Sequence, residues 1–266
     1  NFAENLMAHG DDDNPAILFR GEDGRRRDLS WGELRALVAR LQSALREAGV
    51  RPGDRVAAWL PNVPETYAVM LATASLGAVF SSTSPDFGVD GVLDRFSQIE
   101  PVVLFATDGY HYAGRYHDVT SRLSDLANRM PTRPRIVIVP AADQLETRGA
   151  LPYKSTTLAD FLADHPASQP EFVRLPFDHP LYVLYSSGTT GIPKCIVHRA
   201  GGILLKHLTE HRLHCDIRAG DHIFYFTTTG WMMWNWLASG LASAATLVLY
   251  DGSPFHPGPE RLFDLV

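Results

Sequence analysis

Cysteine is scarce: Cys195 and Cys215 are the only two among 266 residues, and no Cys-x-x-Cys spacing occurs. That excludes a disulfide framework and fits a reducing compartment, so the expected location is cytoplasmic. Positive charge is not in excess either. The chain has 24 Lys and Arg against 30 Asp and Glu, a net charge of −6, which argues against a general basic surface and against nucleic acid as a partner. The one basic run, Arg25 to Arg27, stands beside a turn and reads as a solvated loop. The N-terminal stretch NFAENLMAHGDDD lacks the basic-then-apolar order of a secretory signal. Long apolar runs are missing except for Trp231 to Tyr250, which is uncharged for 20 residues. Asn235, Ser239, Gly240, Ser243 and Thr246 interrupt it, so it reads as a buried helix followed by a buried strand, and no membrane partner is expected.

What is present is apolar content, 45% of the residues, enough to bury a substantial core as one large domain or two small ones. Ala16 to Phe19 and a strand around Leu29 flank the turn GEDG, a small hairpin. Ser30 and Glu33 form a capping box before Leu34, Leu37, Val38, Leu41 and Leu45, and Gly49 closes that amphipathic helix. The alternation then runs strand 55–60, helix from Pro64 to Gly77, strand 78–82, helix 89–99, strand 102–107, a helix carrying Val119, Leu123 and Leu126, and strand 135–139. Such alternation with β-branched strand cores predicts an α/β fold of parallel sheets covered by helices. Residues 141–180, richer in Pro, Asp, His and Ser, read as a surface connection with one helix at 158–163. Beyond them a helix is expected at 203–213 and strands at 223–227 and 247–250.

The most informative stretch is YVLYSSGTTGIPKCIVH, Tyr182 to His198. An apolar strand, Leu181 to Tyr185, breaks into small hydroxyl residues and glycines, which is how a phosphate loop begins. A polyphosphate needs backbone N–H groups that crowd around its oxygens, hydroxyls that supplement them, and a cation. Gly188 and Gly191 permit the approach, Ser186, Ser187, Thr189 and Thr190 supply hydroxyls, and Pro193 stiffens the exit toward Lys194. The Walker loop ends in Gly-Lys-Ser/Thr, whereas Ile192 and Pro193 separate glycine from lysine here, so a Walker NTPase is disfavoured.

The pattern Tyr-Ser-Ser-Gly-Thr-Thr-Gly-x-Pro-Lys resembles the signature loop of the adenylate-forming enzymes. NPAILFRGEDG, LSWGELRALVARL and RPGDRVAAWLPNVPET are similar to the entry of their acetyl-CoA-synthetase-like branch. Residues 70–115 and 227–254 most resemble its acetoacetate-activating members. The resemblance implies a truncated adenylation domain with two interleaved sheets, one from about 66–214 and one from 1–65 plus 215–266. The family's later adenylation segments and small C-terminal domain find no match in 195–266, so little or no ligase activity is expected of this polypeptide alone.

The same resemblance implies activation of a short acid, acetoacetate or a relative such as acetate, propionate or butyrate, by Mg2+ and ATP, then transfer to coenzyme A. A nucleotide-binding module without turnover is the alternative. Ser186, Ser187, Gly188, Thr189, Thr190, Gly191 and Lys194 fall to the β- and γ-phosphates, with Lys194 and Thr190 as catalytic residues. Most members carry glycine after the lysine, where this chain has Cys195. Arg115 matches a position that contacts the nucleotide end of coenzyme A, and a companion arginine is replaced by Tyr112.

Gly230 to Trp236 is aromatic and apolar, a wall for the acyl group or simply core packing, with Trp231, Trp234 and Asn235 as the substrate-pocket residues. Asn235, an amide among indoles and thioethers, needs a partner that the 3-keto oxygen of acetoacetate would supply. His207, His211, His214 and Cys215 include a pair one helical turn apart, but Lys206 and Arg212 are interleaved, so surface or helix-end histidines are favoured and no metal site is expected. Cys195 beside Lys194 is a site for a lowered thiol pKa, and His198 reads as a strand-end residue.

Overall fold

A computed structural model of the protein describes residues 1–141, 151–152, 154–166, 168–186 and 191–265. The chain opens with α1 (Phe2–Met7), started by a capping box between Asn1 and Glu4. The expected hairpin follows as β1 (Pro15–Gly21) and β2 (Arg26–Ser30). Ser30 then caps α2 (Trp31–Glu47), with Glu33 bonding back to the Ser30 amide.

Next come β3 (Arg55–Trp59), α3 (Pro64–Ser75), β4 (Val79–Thr83), α4 (Val89–Ile99) and β5 (Val103–Thr107). A small hairpin, β6 (Gly109–Tyr112) and β7 (Arg115–Asp118), leads to α5 (Thr120–Arg129), β8 (Arg135–Val139), β9 (Thr156–Thr157) and α6 (Leu158–Phe161). The last part comprises β10 (Pro180–Ser186), β11 (Lys194–Arg199), α7 (Ala200–Thr209), β12 (His222–Phe224), α8 (Met232–Ala238) and β13 (Thr246–Asp251).

The strands form two main sheets. The larger has the order β11-β10-β4-β3-β5-β8-β9 and the smaller β12-β13-β1-β2. All neighbours are parallel except β10 with β11 and β1 with β2. The expected sheet boundary near residue 66 is corrected by β3: Arg55–Trp59 lies between β4 and β5 in the larger sheet, pairing Val56 with both Phe80 and Val103. Local sequence carries a strand's existence but not its place in a parallel order, which crossover connections decide.

Side-chain alternation explains the layers. Val56 and Ala58 of β3 join a core with Ile17, Leu247 and Leu249 of the smaller sheet, whereas Ala57 and Trp59 face Phe96, Leu123 and Leu126 of α4 and α5. α2 and α3 contribute to the first core, between the sheets. Every residue of α3 is buried, the polar Glu65, Thr66, Thr73 and Ser75 included.

Other differences are local. The helix expected at 203–213 starts at Ala200 and ends in a π turn, Glu210–His214, and the strand expected at 223–227 is only His222–Phe224. The run 231–250 divides as expected into α8, a 3-10 turn at Ser239–Ser243, and β13. Among the described residues no helix is long and apolar enough to cross a membrane.

Candidate functional site

In a parallel sheet, ligands collect outside the carboxyl ends of the strands. The phosphate stretch leaves the carboxyl end of β10, and β6–β7 leaves that of β5. Both therefore rise from one edge, separated by three strand spacings (β10-β4-β3-β5), about 14 Å.

β10 and β11 pair antiparallel on either side of the expected phosphate stretch. Ser186, the last residue of β10, pairs in register with Lys194, the first of β11. Strand pairing thus sets the two residues opposite each other at the base of the loop. Gly191 stands within it at φ +115°. Ser187, Gly188, Thr189 and Thr190 lie outside the described residues.

A residue that sequence reasoning missed steadies the exit of this loop. Gln98, at the end of α4, donates from Nε2 to the Pro193 carbonyl at 2.9 Å, and Cys195 Sγ lies 3.5 Å from Gln98 Oε1. Cys195 therefore packs on α4 and is not activated by its neighbour lysine; burial pushes its thiol pKa up, not down as expected. Beneath the hairpin, Tyr185 bonds Ser81 Oγ at 3.0 Å. Its ring and that of Phe87 flank the Arg95 guanidinium at 5.7 and 4.6 Å.

The segment before α8 is sewn onto the same edge. Ser82 Oγ donates to the Thr229 carbonyl at 2.7 Å, Thr229 Oγ1 to the Leu60 carbonyl at 2.8 Å, and Trp59 Nε1 to the Ser84 carbonyl at 3.0 Å. This stitching leaves Trp231 68% exposed and Met232 46% exposed. Trp234 has a different surrounding: wholly buried, it belongs to the core between the sheets, with Nε1 bonded to Asn62 Oδ1 at 3.0 Å. The expected wall is thereby divided, with Trp231 at the surface and Trp234 in the interior.

Asn235 is 1% exposed, and neither of its side-chain polar atoms has a partner among the described residues. Helical spacing puts it one turn beyond Trp231 and Met232 on the same side of α8.

At the other end of the edge, Arg115 and Tyr112 face each other across the β6–β7 turn and are both exposed. Tyr110, His111, Tyr112 and His117 line a cavity of about 350 Å³ with Ser84, Phe226 and Asp251. A larger cavity of about 650 Å³, lined by Arg25, Arg26, Arg27 and Arg40, shares Tyr110 with it. Three of these cations are already engaged: Arg27 with Glu65, Arg25 with Asp23, and Arg40 with the carbonyls of Leu162 and His165. Asp251 borders both cavities, and burial pushes its carboxyl up to about 6.

Of the two expected places for the histidines, surface or helix end, His207 and His211 take the second: both stand in the last turns of the α7 segment, and both are buried. His207 Nδ1 lies 2.7 Å from Ser239 Oγ, and the His211 ring stands edge-on to Trp236 at 4.4 Å. Among the described residues no three His, Cys, Asp or Glu side chains are grouped to hold a metal. His198, on β11, packs its ring against Tyr182 at 5.4 Å.

Burial, with neighbouring charge for His207, lowers His207 and His211 to about 4. Both are therefore neutral in the fold and gain protons on unfolding. Their contribution to stability is fully present above the unfolded value of about 6.5 and is lost as pH falls toward 4. Acidification from pH 7 to pH 5 is expected to cost on the order of 2 kcal/mol per histidine. Urea midpoints at the two pH values measure this, and His211→Phe should shrink the difference; an equal difference in that variant would remove His211 from the account.

A family model described as AMP-binding enzyme matches residues 4–266. The chain is 58% identical over 267 residues to the acetoacetyl-coenzyme A synthetase of Rhizobium meliloti (strain 1021), covering 99% of this chain and 40% of that protein. It is 45% identical over 270 residues to a malonamoyl-CoA synthetase of Penicillium aethiopicum, covering 98% of this chain and 37% of that one. Among solved structures, an acetoacetyl-CoA synthetase from Streptomyces lividans superposes with a TM-score of 0.92 at 45% identity, over 100% of this chain and 40% of its own. The chain thus spans about 40% of the length of these relatives.

Proposed function

Because the chain belongs to the AMP-binding enzyme family, we propose that it forms the phosphate- and acid-binding part of an acid–thiol ligase acting on acetoacetate. Mg·ATP, the acid and coenzyme A are its substrates. The acid's carboxylate attacks the α-phosphate of Mg·ATP, giving acyl-AMP and pyrophosphate; the thiol of coenzyme A then attacks the acyl carbon and AMP leaves. The observation that carries the reading is the pairing of Ser186 with Lys194 at the base of the glycine- and threonine-rich loop. Charge accumulates on the phosphates as pyrophosphate departs, and a loop of amides, hydroxyls and one ammonium is suited to stabilise it. Ser186 to Gly191 and Lys194 are assigned this role, with Lys194 and Thr190 nearest the chemistry.

For the acid, the acyl groups in the names of the relatives, acetoacetyl and malonamoyl, share a carbonyl at carbon 3. An amide whose polar atoms have no partner among the described residues, one turn below exposed Trp231 and Met232, is suited to read that carbonyl. Asn235→Leu is expected to reduce the preference for acetoacetate over butyrate by about tenfold, the scale of one buried hydrogen bond. Removing an unpaired buried amide should leave stability equal or higher. An unchanged preference would return Asn235 to the core.

The test of the whole reading is carboxylate-dependent ATP/pyrophosphate exchange by the chain extended to the length of its relatives. Acetoacetate is compared with acetate, propionate and butyrate. Exchange driven best by another acid keeps the mechanism and changes the substrate. ATP binding without exchange for any acid would favour a binding module without turnover.

A further inference from the structure

Among the described residues the β6 and β7 strands pair only with each other, as a two-stranded sheet, and such a hairpin has little stability of its own. Its two-residue turn, Ala113-Gly114, has φ of +52° and +76°, the type I′ geometry in which asparagine, aspartate or glycine is the favoured first residue and alanine is not. Consecutive amides in left-handed conformation converge on a concavity suited to an anion. Here the anion is internal.

Glu22, in the turn between β1 and β2 of the smaller sheet, accepts the Ala113 amide at 3.0 Å and the Ser253 amide at 2.6 Å through Oε2, and the Gly114 amide through Oε1. Its own amide donates to the Asp251 carbonyl at 2.9 Å. The approach depends on Gly252, where an added Cβ would lie 2.3 Å from Glu22 Cβ. The neighbouring Asp23 reaches the body of the hairpin, with Oδ2 3.2 Å from His111 Nδ1. One acidic turn thus holds the tip and one strand of a hairpin whose side chains line the 350 Å³ cavity.

We infer that Glu22 is a positioning residue for the acceptor side of the site: by filling the Ala113-Gly114 turn it fixes Tyr112 and Arg115, and with them the affinity for coenzyme A, without taking part in adenylation. The inference rests on the ligase reading and on the expectation, carried by the family resemblance, that Arg115 contacts coenzyme A.

Three variants of the chain extended to the length of its relatives test it: Glu22→Ala, Glu22→Ala with Ala113→Gly, and Arg115→Glu. Glu22→Ala is expected to raise KM for coenzyme A about tenfold or more, as misplacement from a distance does, with acid-dependent exchange changed less than about twofold. Ala113→Gly removes the left-handed penalty and should recover most of that affinity. In Glu22→Ala, the Ala113 and Gly114 amides of the 266-residue chain should also exchange with deuterium faster.

Unchanged KM for coenzyme A in Glu22→Ala, a parallel fall in exchange, amides still protected, or no recovery with Ala113→Gly would each overturn the inference. The reading beneath it fails separately. If Arg115→Glu leaves KM for coenzyme A unaltered while Glu22→Ala raises it, the Arg115 contact is wrong and the positioning role stands. If only Arg115→Glu raises KM, the contact stands and the positioning role falls.

Discussion

Lys194→Ala, made in the chain extended to the length of its relatives, should slow acetoacetate-dependent ATP/pyrophosphate exchange by about tenfold to a thousandfold, the effect of removing one preorganised electrostatic donor from a site where charge develops. The side chain is exposed at the first position of an edge strand, so its removal opens no cavity, and the unfolding free energy from urea titration should stay within about 0.5 kcal/mol of the parent. That separation gives the experiment its force: a large loss of rate with no loss of stability locates the lysine in the chemistry. Binding of Mg·ATP should weaken less than the rate falls, because an interaction that strengthens as pyrophosphate departs contributes more to kcat than to KM. Lys194→Arg keeps the charge but not the compact ammonium, and should recover only part of the rate. An unchanged exchange rate in Lys194→Ala would remove the hairpin tip from the phosphate site.

How much of this could be read from residues alone depended on the range of the interaction. The capping box at Ser30 and Glu33 and the start of α3 at Pro64 are local events, written within a few residues, and they were legible. β10 was legible as an apolar run; of β11 only the end was, at His198, because KCIVHR is short and exposed along most of its length and is held as a strand by its pairing with β10. α1 has six residues and rests on a capping box at the first position of the chain, too little periodicity to register. The site divides in the same way. The loop proposed to hold the phosphates was legible because the proposal is drawn from its composition. Gln98 and Glu22 act on residues 95 and 91 positions away, and nothing near either one in sequence marks it. The spacing of Trp231 and Trp234 gave a helix, but which indole faces solvent depended on Asn62, far off in α3's approach.

Trp234→Ala should therefore destabilise the chain by about 3–5 kcal/mol, the cost of emptying a large buried aromatic site, and the reason lies in where the ring is fastened. It stands 4.5 Å from the Tyr67 ring of α3 and 6.0 Å from the Phe80 ring of β4. Its Nε1 and the Tyr67 hydroxyl both donate to Asn62 Oδ1, each at 3.0 Å. Asn62 in turn donates from Nδ2 to the Tyr250 carbonyl at 3.3 Å, and its amide to Asp251 Oδ1 at 3.1 Å. One indole thus ties α8 to α3 and, through Asn62, to the carboxyl end of β13. Trp234→Phe keeps most of the ring and gives up the hydrogen bond; Asn62 Oδ1 retains Tyr67, so the loss should be nearer 1 kcal/mol plus a small cavity term. Urea midpoints of the two variants against the parent measure both values. A loss below about 1 kcal/mol for Trp234→Ala would mean that the ring is not packed as described and belongs with Trp231 on the acid-facing side. Acid preference in Trp234→Phe gives the complementary reading. Because the ring touches α3 and β4, preference should be unaltered there and altered in Asn235→Leu, so that two adjacent residues of one helix divide stability from selectivity.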